Sequence, residues 1–563
     1  MIVRPHVSGC FREVKTMMRR FFVFVFVLVV QTQSTVAFGF QEPQSRSADV
    51  VVYGATSAGV MTAVQLDRDG HSVILVAPSG HVGGLTTSGL GWTDSGRKDV
   101  IGGLARDFYE RIKQHYDQPE AWKFEEAKQY SRYRPDESAM WTFEPSVAQS
   151  VMGSFLDESQ VELLTNERLD RSKSPVAENG TINSIRMESG MTLSASYFVD
   201  ATYEGDLMAA AGVSYTVGRE PNATYNETLN GNQVGENIKS HRFLKPVSPY
   251  VIAGDAISGL LPGIDESGPG SRGTGDDRLQ AFCFRMCMSR VAENQVPFEK
   301  PADYDEGLYE LLLRNFEAGD ERLPLKPDMM PNGKTDTNNN CAVSTDFIGF
   351  NYSYPEASYD ERAQIIAKHL SYQQGLMWTL ANHPRVPQSI RDQMGQWGLA
   401  KDEFRETNHW PPMIYVRESR RMVSDYVMTE HDCRRNRICD DPIGMGSYNM
   451  DSHNVRRFVT EEGFVQNEGD VQVSPGGPYL ISYRSILPAK GECENLVVPV
   501  CISSSHIAFG SIRMEPVFMI LGQSAAVAID ESIQQRCSLR EIDYDTYSQK
   551  LKAAGQVIEL PTK

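Results

Sequence analysis

The chain has 563 residues, enough for more than one structural unit, and its composition is that of an ordinary folded protein, with 40% hydrophobic residues. Its formal charge of −18 at neutral pH disfavours nucleic acids and anionic membrane surfaces as partners. None of the nine cysteines falls in a C-x-x-C pair, so iron–sulfur and structural zinc sites have poor support and no metal site is predicted.

The first 39 residues predict an export signal. Basic residues ending in Arg19-Arg20 precede the apolar stretch FFVFVFVLVV (21–30), and small residues follow near Ala37. This stretch is too short for a stable membrane anchor, so we expect a cleaved signal peptide (1–39) and an exported protein, periplasmic or secreted. A plain secretory leader and a twin-arginine signal are both open interpretations.

The stretch ADVVVYGATSAG (48–59) predicts a buried strand, a glycine-marked turn and the start of a helix. With the later strand SVILV (72–76) it completes a βαβ unit of the length that mononucleotide folds use. Amides at the start of such a helix favour a pyrophosphate, although Thr56 replaces the second glycine of G-x-G-x-x-G. A purely structural turn is the alternative. The candidate binding residues here are Gly54, Thr56, Ser57, Ala58 and Gly59.

Two features follow the second strand. It ends in Ala77, where a dinucleotide fold usually offers an acid to the ribose hydroxyls, so Ser79 or a backbone group is expected to make that contact. The loop HVGGLTTSG (81–89) then contains Gly83 and Gly84, which allow the backbone to approach a flat ring or a phosphate. A flexible surface turn is the alternative.

The next elements follow from hydrophobic periodicity and turn residues. We expect helices over 101–113, after Thr142–Ser146, and over 308–316 and 359–381, and strands over 161–166, 181–187 and 191–198. The third of these strands runs into Asp200-Ala201-Thr202, where Asp200 could cap the strand end.

Three segments carry a family resemblance: GATSAG (54–59), HVGGLTTSGLGWTD (81–94) and DATYEGDLMAAAGVSYTVGRE (200–220). They are similar to exported FAD-dependent oxidoreductases with the flavin fold of the glutathione-reductase superfamily, some of which carry the name xanthan lyase. The resemblance runs from about residue 48 to 530. It implies an α/β fold in which an FAD-binding Rossmann-like domain of the glutathione-reductase type holds an inserted α+β substrate or cap domain, with FAD as cofactor.

The resemblance also implies site residues. Ala201 and Thr202 would lie near the FAD adenosine or pyrophosphate, with Tyr203 in place of the usual glycine. Glu144 would lie near the flavin, or serve as a helix cap together with Pro145. The segment 510–516, GSIRMEP, would close the flavin site, and a helix is predicted to follow it over 517–529. Its predicted ring neighbours are Gly510, Ser511 and Ile512.

The predicted organisation has five parts. They are a signal peptide (1–39), the N-terminal part of the FAD-binding domain (48–215), a substrate or cap domain with helical insertions (216–487), the C-terminal part of the FAD-binding domain (488–535) and a C-terminal tail (536–563).

Within the inserted region, YVRESRRM (415–422) is interpreted as a helix that places Arg417 and Arg421 on one face. The positive charge would steady a reduced flavin or bind a carboxylate or sugar-acid substrate. A structural ion-pair network is the alternative. Cys433 and Cys439 are the best candidates for a disulfide.

The expected reaction is hydride transfer from a small organic or carbohydrate-derived substrate to flavin N5, with His506 or His409 as proton acceptor. Arg417, Arg421 or Arg513 would orient the substrate or stabilise the flavin anion. A structural role is the alternative for each histidine. Two other classes stay open: a carbohydrate-active lyase or hydrolase, and a non-catalytic flavin-fold binding protein, which Thr56, Ala77 and Tyr203 keep in consideration. The expected partner is a small molecule, with a sugar derivative included, and the oligomeric state is left open.

Overall fold

The computed structural model describes residues 44–235 and 241–561, so the predicted signal peptide (1–39) lies outside the described residues. The helices are α1 (Ser57–Arg68), α2 (Gly103–Tyr116), α3 (Pro145–Asp157), α4 (Asp206–Ala210), α5 (Asn222–Tyr225), α6 (Glu310–Glu317), α7 (Tyr359–Asn382), α8 (Gln388–Met394), α9 (Glu430–Cys433), α10 (His506–Ile512), α11 (Glu515–Gln535) and α12 (Tyr544–Ala553).

The strands are β1 (Ser45–Tyr53), β2 (Val73–Ala77), β3 (Glu162–Thr165), β4 (Val176–Glu178), β5 (Thr181–Arg186), β6 (Thr192–Asp200), β7 (Tyr215–Thr216), β8 (Ile264–Asp265), β9 (Met288–Ser289), β10 (Gln295–Val296), β11 (Leu325–Met329), β12 (Thr335–Asn339), β13 (Gly398–Ala400), β14 (Arg421–Met422), β15 (Pro442–Gly446), β16 (Met450–Ser452), β17 (Arg456–Val459), β18 (Val465–Glu468), β19 (Val471–Val473), β20 (Tyr479–Ser482) and β21 (Leu496–Val497).

A seven-stranded sheet in the order β3-β2-β1-β6-β5-β4, with β21 beside β6, is the centre of the fold. β1 pairs in parallel with both β2 and β6. Its residues Val50–Tyr53 are all buried, because alternate side chains face hydrophobic clusters on opposite sides of the sheet. The predicted α/β class with a parallel, Rossmann-like sheet is therefore confirmed.

The chain returns to this sheet near its end. β21 pairs in parallel with β6, and the following α11 packs against α1. The helices touch closely: Thr62 Oγ1 donates to the Gly522 carbonyl oxygen at 2.9 Å, and a Cβ at Gly522 would lie 2.3 Å from the Ala58 carbonyl oxygen. Only glycine permits this approach. Residues before 200 and after 495 thus share one layered core.

Between β6 and β21 the described residues form small sheets of two or three strands, in the orders β10-β13-β9, β11-β12, β14-β7, β15-β20, β16-β19 and β18-β17-β8. The long helix α7 begins at a capping box, in which Ser358 and Glu361 satisfy each other's backbone N–H groups. This mixed region supplies the second wall of the site described below.

Most predicted elements occur, but three expectations are wrong. Residues 415–422 are not helical; the segment is extended and ends in the two-residue strand β14. Cys433 and Cys439 are both free thiols rather than a disulfide. The predicted helix at 517 begins earlier, at Glu515, and a separate helix α10 precedes it.

One described helix, α11, is long and apolar enough to cross a membrane by composition, and 94% of its most apolar stretch of 18 residues is buried within the fold. The segment predicted as a C-terminal tail contains α12, whose Tyr547 hydroxyl donates to the Ser524 carbonyl oxygen at 2.7 Å. The tail therefore packs onto α11. The division into domains stays a prediction.

Candidate functional site

The turn between β1 and α1 has the shape needed to present backbone amides. Gly54 has φ +109°, and a Cβ there would lie 2.7 Å from the Ala201 carbonyl carbon. A Cβ on Gly59 would lie 1.9 Å from the Gly54 carbonyl oxygen. Thr56 caps α1 by accepting from the Gly59 N–H at 3.3 Å, and its hydroxyl donates to Ala201 at 2.7 Å. The threonine that breaks the glycine pattern thus stabilises the turn.

The glycine pair after β2 lies against this turn. Gly83 donates its N–H to the Ala55 carbonyl oxygen at 2.8 Å. Gly84 has φ +60°, and a Cβ there would lie 2.3 Å from the Tyr203 hydroxyl. That hydroxyl accepts from the Leu85 N–H at 2.9 Å. Tyr203, which replaces a glycine of the related proteins, is thus a structural part of the site.

Asp200 anchors the third piece of backbone. Its carboxylate accepts from the Thr202 N–H at 3.0 Å and hydroxyl at 2.6 Å, and from the Met208 N–H at 2.8 Å. Burial raises the pKa of Asp200 to about 6, although these hydrogen bonds oppose the shift. Asp200 therefore caps the strand end and fixes Thr202 beside the turn.

These pieces enclose cavity A, of about 320 Å³. Four of the predicted binding residues line it: Gly54, Thr56, Gly84 and Thr202. The other five in this region lie behind it: Ser57 and Ala58 face α11, Gly59 packs on the turn, and Gly83 and Ala201 hold the backbone. Ser79 also lines cavity A, at the position expected to contact a ribose.

The inserted region forms the opposite wall of cavity A, and it is rich in arginine. Asp206 accepts from Arg362 at 2.6 Å, from Arg420 at 3.0 Å and from Arg171 at 3.3 Å. Burial alone would raise the pKa of Asp206, but Arg362 more than offsets this and the pKa is lowered. Arg420 also pairs with Glu356 at 3.0 Å, and Glu204 lines cavity A beside Asp206, so carboxylates and guanidinium groups balance in this cluster. Arg168 and Arg362 are the guanidinium groups that line cavity A, where they could contact a pyrophosphate.

Glu515, the first residue of α11, joins the two ends of the chain. Its carboxylate accepts from Ser57 Oγ at 2.6 Å, from Thr86 Oγ1 at 2.6 Å and from the Tyr203 hydroxyl at 2.8 Å. Burial raises its pKa, although these three donors oppose the shift. The turn after β1 and the start of α11 therefore meet directly.

Two narrow cavities continue from cavity A toward α11. Cavity B, of about 10 Å³, shares Tyr203 and Val416 with cavity A, and cavity C, of about 20 Å³, shares Tyr415 and Arg513 with cavity B. Cavity C ends at the α11 N-terminus and is lined by Thr86, Leu90, Trp92, Thr93, Asp94, Tyr109, Phe143, Tyr415, Arg513, Met514, Glu515 and Pro516. Cavities B and C therefore lie between cavity A and the α11 N-terminus, and each shares lining residues with the next.

Cavity C is lined by two side chains of opposite charge, the Asp94 carboxylate and the Arg513 guanidinium. Burial raises the pKa of Asp94, although Arg285 and a hydrogen bond from Tyr448 oppose the shift. Arg513 donates to the Tyr415 hydroxyl at 2.8 Å and to Asp451 at 3.0 Å, and its Nε is buried without a partner among the described residues. A buried guanidinium with a free donor is suited to an anionic or polar ligand.

Asp451 extends this cluster away from the cavity. Burial raises its pKa to about 6, with Asp94 adding to the shift and Arg513 opposing it. His453 lies 3.6 Å from Asp451 and 2.8 Å from Asp346. Burial and Arg417 lower the pKa of His453 to about 3, so the imidazole is neutral at neutral pH. Asp94 and Asp451 are candidate functional residues that the sequence analysis did not identify.

The structure places His506 and His409 outside the residues that line cavities A to C. His506 is buried, with Nδ1 2.8 Å from Glu418 and Nε2 3.0 Å from Ser452. His409 lies in a turn with φ +67°, and its Nδ1 lies 3.0 Å from the Glu403 carbonyl oxygen. Both contacts favour structural roles.

The arginines of 417–421 point in different directions because the segment is extended. Arg417 pairs with Asp346 at 2.9 Å, and Arg421 pairs with Glu220 at 2.6 Å and with Glu418. Burial raises the pKa of Glu418, but His506 and Arg421 lower it to about 2 overall. The prediction of a helical face of positive charge is therefore wrong, and these arginines form a structural ion-pair network instead. Arg417 still lines cavity B.

Two more predicted positions are displaced. Gly510, Ser511 and Ile512 lie in α10 and pack on β16 and Tyr448; the residues that follow them, Arg513–Pro516, line cavity C. Glu144 does not line cavities A to C. Its carboxylate pairs with Lys334 Nζ at 2.7 Å, and Asp402 and Glu403 pair with the same ammonium group. Glu144 occupies the N-cap position of α3 and Pro145 is the first helical residue, as the alternative expects, but the Glu144 side chain makes no capping hydrogen bond.

A parallel sheet with a glycine turn at the carboxyl end of β1, cations opposite it and a second helix N-terminus along the same cavities defines a dinucleotide-binding α/β protein. The sequence profile of the family described as FAD dependent oxidoreductase matches residues 49–551, and the chain belongs to that family. FAD is therefore its cofactor. No significant match is found among curated proteins.

The residues fit the ADP half of FAD: Gly54 and Gly84 have no room for a side chain and line cavity A, where Arg168 and Arg362 supply guanidinium donors. Tyr415, Arg417 and Arg513 line the narrow cavities B and C and would be neighbours of the isoalloxazine half.

Several solved structures share part of the fold. L-amino acid deaminase from Proteus vulgaris is 18% identical, with 32% of this chain and 54% of that chain covered and a TM-score of 0.23. L-proline dehydrogenase from P. horikoshii is 16% identical, with 32% and 59% covered and a TM-score of 0.22. Thioredoxin reductase from T. acidophilum is 16% identical, with 28% and 35% covered and a TM-score of 0.15. The chain spans less than two thirds of each, and TM-scores this low carry no argument about function.

Proposed function

We propose that this protein is an exported FAD-dependent oxidoreductase that oxidises a small organic or carbohydrate-derived substrate. The observation that supports it best is the hydrogen bond between Ser57 and Glu515, which joins the dinucleotide turn to the helix N-terminus at cavity C. When bound, FAD supplies the acceptor for a hydride from the substrate carbon. Export rests on the leader at residues 1–39.

The remaining chemistry is proton transfer, and Asp94 is the best-placed acceptor. It lines cavity C, and its raised pKa makes its carboxylate a stronger base than an exposed aspartate. The hydrogen bond from Tyr448 orients the carboxylate. Asp94 would take the proton from the hydroxyl or amine on the carbon that is oxidised.

Arg513 and Tyr415 would hold the substrate opposite Asp94. Both line cavity C, and the 2.8 Å hydrogen bond between them fixes their relative position. Asp451 holds the guanidinium by accepting from its Nη2 at 3.0 Å, and Nε is left without a partner among the described residues. This role replaces the one expected for Arg421, which is fully committed to Glu220 and Glu418.

The test is anaerobic mixing of the yellow holoprotein with sugars, sugar acids, hydroxy acids and amines, followed by flavin absorbance. We expect at least one compound to bleach the flavin. The Asp94→Asn variant should slow bleaching by roughly 100-fold or more, as for loss of a general base. Asp99→Asn, an exposed carboxylate five positions away, is the control and should bleach at the wild-type rate. Polysaccharide cleavage by a colourless protein would contradict the proposal.

A further inference from the structure

A fourth cavity, larger than cavity C, lies against it. Cavity D has a volume of about 280 Å³, and it shares Trp92 and Thr93 with cavity C. Its lining also includes Ser95, Lys98, Lys113, Arg132, Arg134, Glu137, Ala139, Met140, Trp141 and Thr142. The place where the two cavities meet is therefore next to Asp94 along the chain.

The lining of cavity D is strongly positive in a chain whose net charge is −18. It contains four cationic side chains and one carboxylate, Glu137. Lys113 has its own partner, Asp117. Across residues 44–235 and 241–561, no carboxylate lies within ion-pair distance of the other three, which are Lys98, Arg132 and Arg134.

Two of these cations are held over aromatic rings instead. The Arg132 guanidinium lies 4.5 Å from the centre of the Trp92 ring, and Lys98 Nζ lies 5.3 Å from the centre of the Trp141 ring. Arg134 donates to the carbonyl oxygens of Ser131 at 2.7 Å and Tyr133 at 3.0 Å. Burial, together with Arg132 and Arg134, lowers the pKa of Lys98, although Glu137 opposes the shift. Cations that outnumber the carboxylates of their cavity repel one another, and an anion bound between them stabilises the group.

From this arrangement we infer that cavity D binds the carboxylate group of the substrate, so that the enzyme acts on small carboxylic acids. This inference rests on the proposed function, because it names the substrate class of the same site. Arg132 and Arg134 would bind the carboxylate, and Lys98 would add positive charge. The substrate carbon to be oxidised would then reach past Trp92 and Thr93 into cavity C, where Asp94 and Arg513 lie.

Binding and reaction are measured separately. Isothermal titration of the holoprotein compares three matched pairs: glucuronate with glucose, galacturonate with galactose, and lactate with 1,2-propanediol, all at constant ionic strength. We expect at least one acid to bind at least tenfold more tightly than its neutral partner. The double variant R132Q/R134Q should lose at least tenfold in affinity for that acid, since both residues are exposed and their replacement leaves the core intact.

The variant K245Q/K401Q removes the same charge from exposed positions outside the cavity and should bind as the wild type does. Equal binding of acid and neutral partner in every pair, no binding of any acid, or unchanged binding by R132Q/R134Q would each overturn the inference. Flavin bleaching in the same samples tests the proposed function independently. Bleaching by neutral compounds alone would support the oxidoreductase function and overturn the carboxylate site. An acid that binds at cavity D without bleaching the flavin would support the carboxylate site and contradict the oxidoreductase function.

Discussion

Ser57 Oγ donates a 2.6 Å hydrogen bond to Glu515 Oε2 across 458 positions of sequence. Ser57 is the first residue of α1 and Glu515 the first of α11, so the two helix N-termini converge. Their partial positive charges stabilise the buried carboxylate between them. The candidate site is built around this contact.

Replacement of Glu515 by alanine should destabilise the fold. The change leaves the hydroxyls of Ser57, Thr86 and Tyr203 without their acceptor in a buried place. Each unsatisfied donor costs about 1–3 kcal/mol, so we expect the free energy of unfolding to fall by at least about 3 kcal/mol, and by less in Glu515→Gln. Urea denaturation measures this. Glu406→Ala, at an exposed glutamate, is the control, and equal stability of the two alanine variants would argue against the junction.

Glycine to alanine changes in two helices should have opposite effects. At Gly59 the new Cβ would lie 1.9 Å from a backbone oxygen, so we expect a loss of stability of at least about 1–3 kcal/mol and loss of bound FAD. At Gly153 in α3 the Cβ meets nothing within 4 Å, and alanine should be neutral or stabilise by up to about 1 kcal/mol. Thermal unfolding and flavin content check both. Full FAD content in Gly59→Ala would contradict the role of the turn.

Arg421 is expected to stabilise the fold rather than to take part in the reaction. Its replacement by glutamine leaves Glu220 and Glu418 without their buried counter-charge, which typically costs about 3–5 kcal/mol. Arg405→Gln, at an exposed position, should leave the free energy of unfolding unchanged. A stable Arg421→Gln protein that binds FAD but bleaches slowly would instead support the catalytic role predicted from sequence.

Asp451 should make stability depend on pH. Its pKa is raised from 3.8 to about 6 in the folded protein, so its protonation favours the folded state. The associated stability is fully present below about pH 4 and is lost as pH rises through 6, by up to about 3 kcal/mol at 1.4 kcal/mol per pKa unit. Asp451→Asn removes this dependence. Relative to the variant, the wild type should therefore gain stability between pH 7 and pH 4. Unfolding free energies of both proteins across this range measure the difference, and parallel curves would show that Asp451 has no raised pKa.

Local patterns were sufficient for the parts of the fold that are local. The apolar run before Gly54, the glycine spacing and the second strand predict β1, α1 and β2, and the structure contains all three. The resemblance added the place of the segment 510–516 at the flavin site, which no local pattern indicates. Cavity A could thus be anticipated from the residues on its glycine-rich side.

The opposite wall of cavity A and the proton acceptor could not be predicted from the sequence. Arg417 and Arg421 have helical spacing, but their partners Asp346 and Glu220 lie 71 and 201 positions away, and pairing with them holds the segment extended. Asp94 was visible as the end of a motif, yet its raised pKa depends on burial and on Tyr448, from a distant part of the chain. A start of α11 two residues earlier than expected moved the cavity lining from Gly510–Ile512 to the residues after them.

The most direct test is the flavin content of the purified protein. Two segments from opposite ends of the chain are held to bind a single FAD, so the visible spectrum should show a bound flavin, and release by denaturation should yield one FAD per chain in the wild type and much less in Glu515→Ala. A folded wild-type protein that stays colourless after incubation with excess FAD would contradict the account.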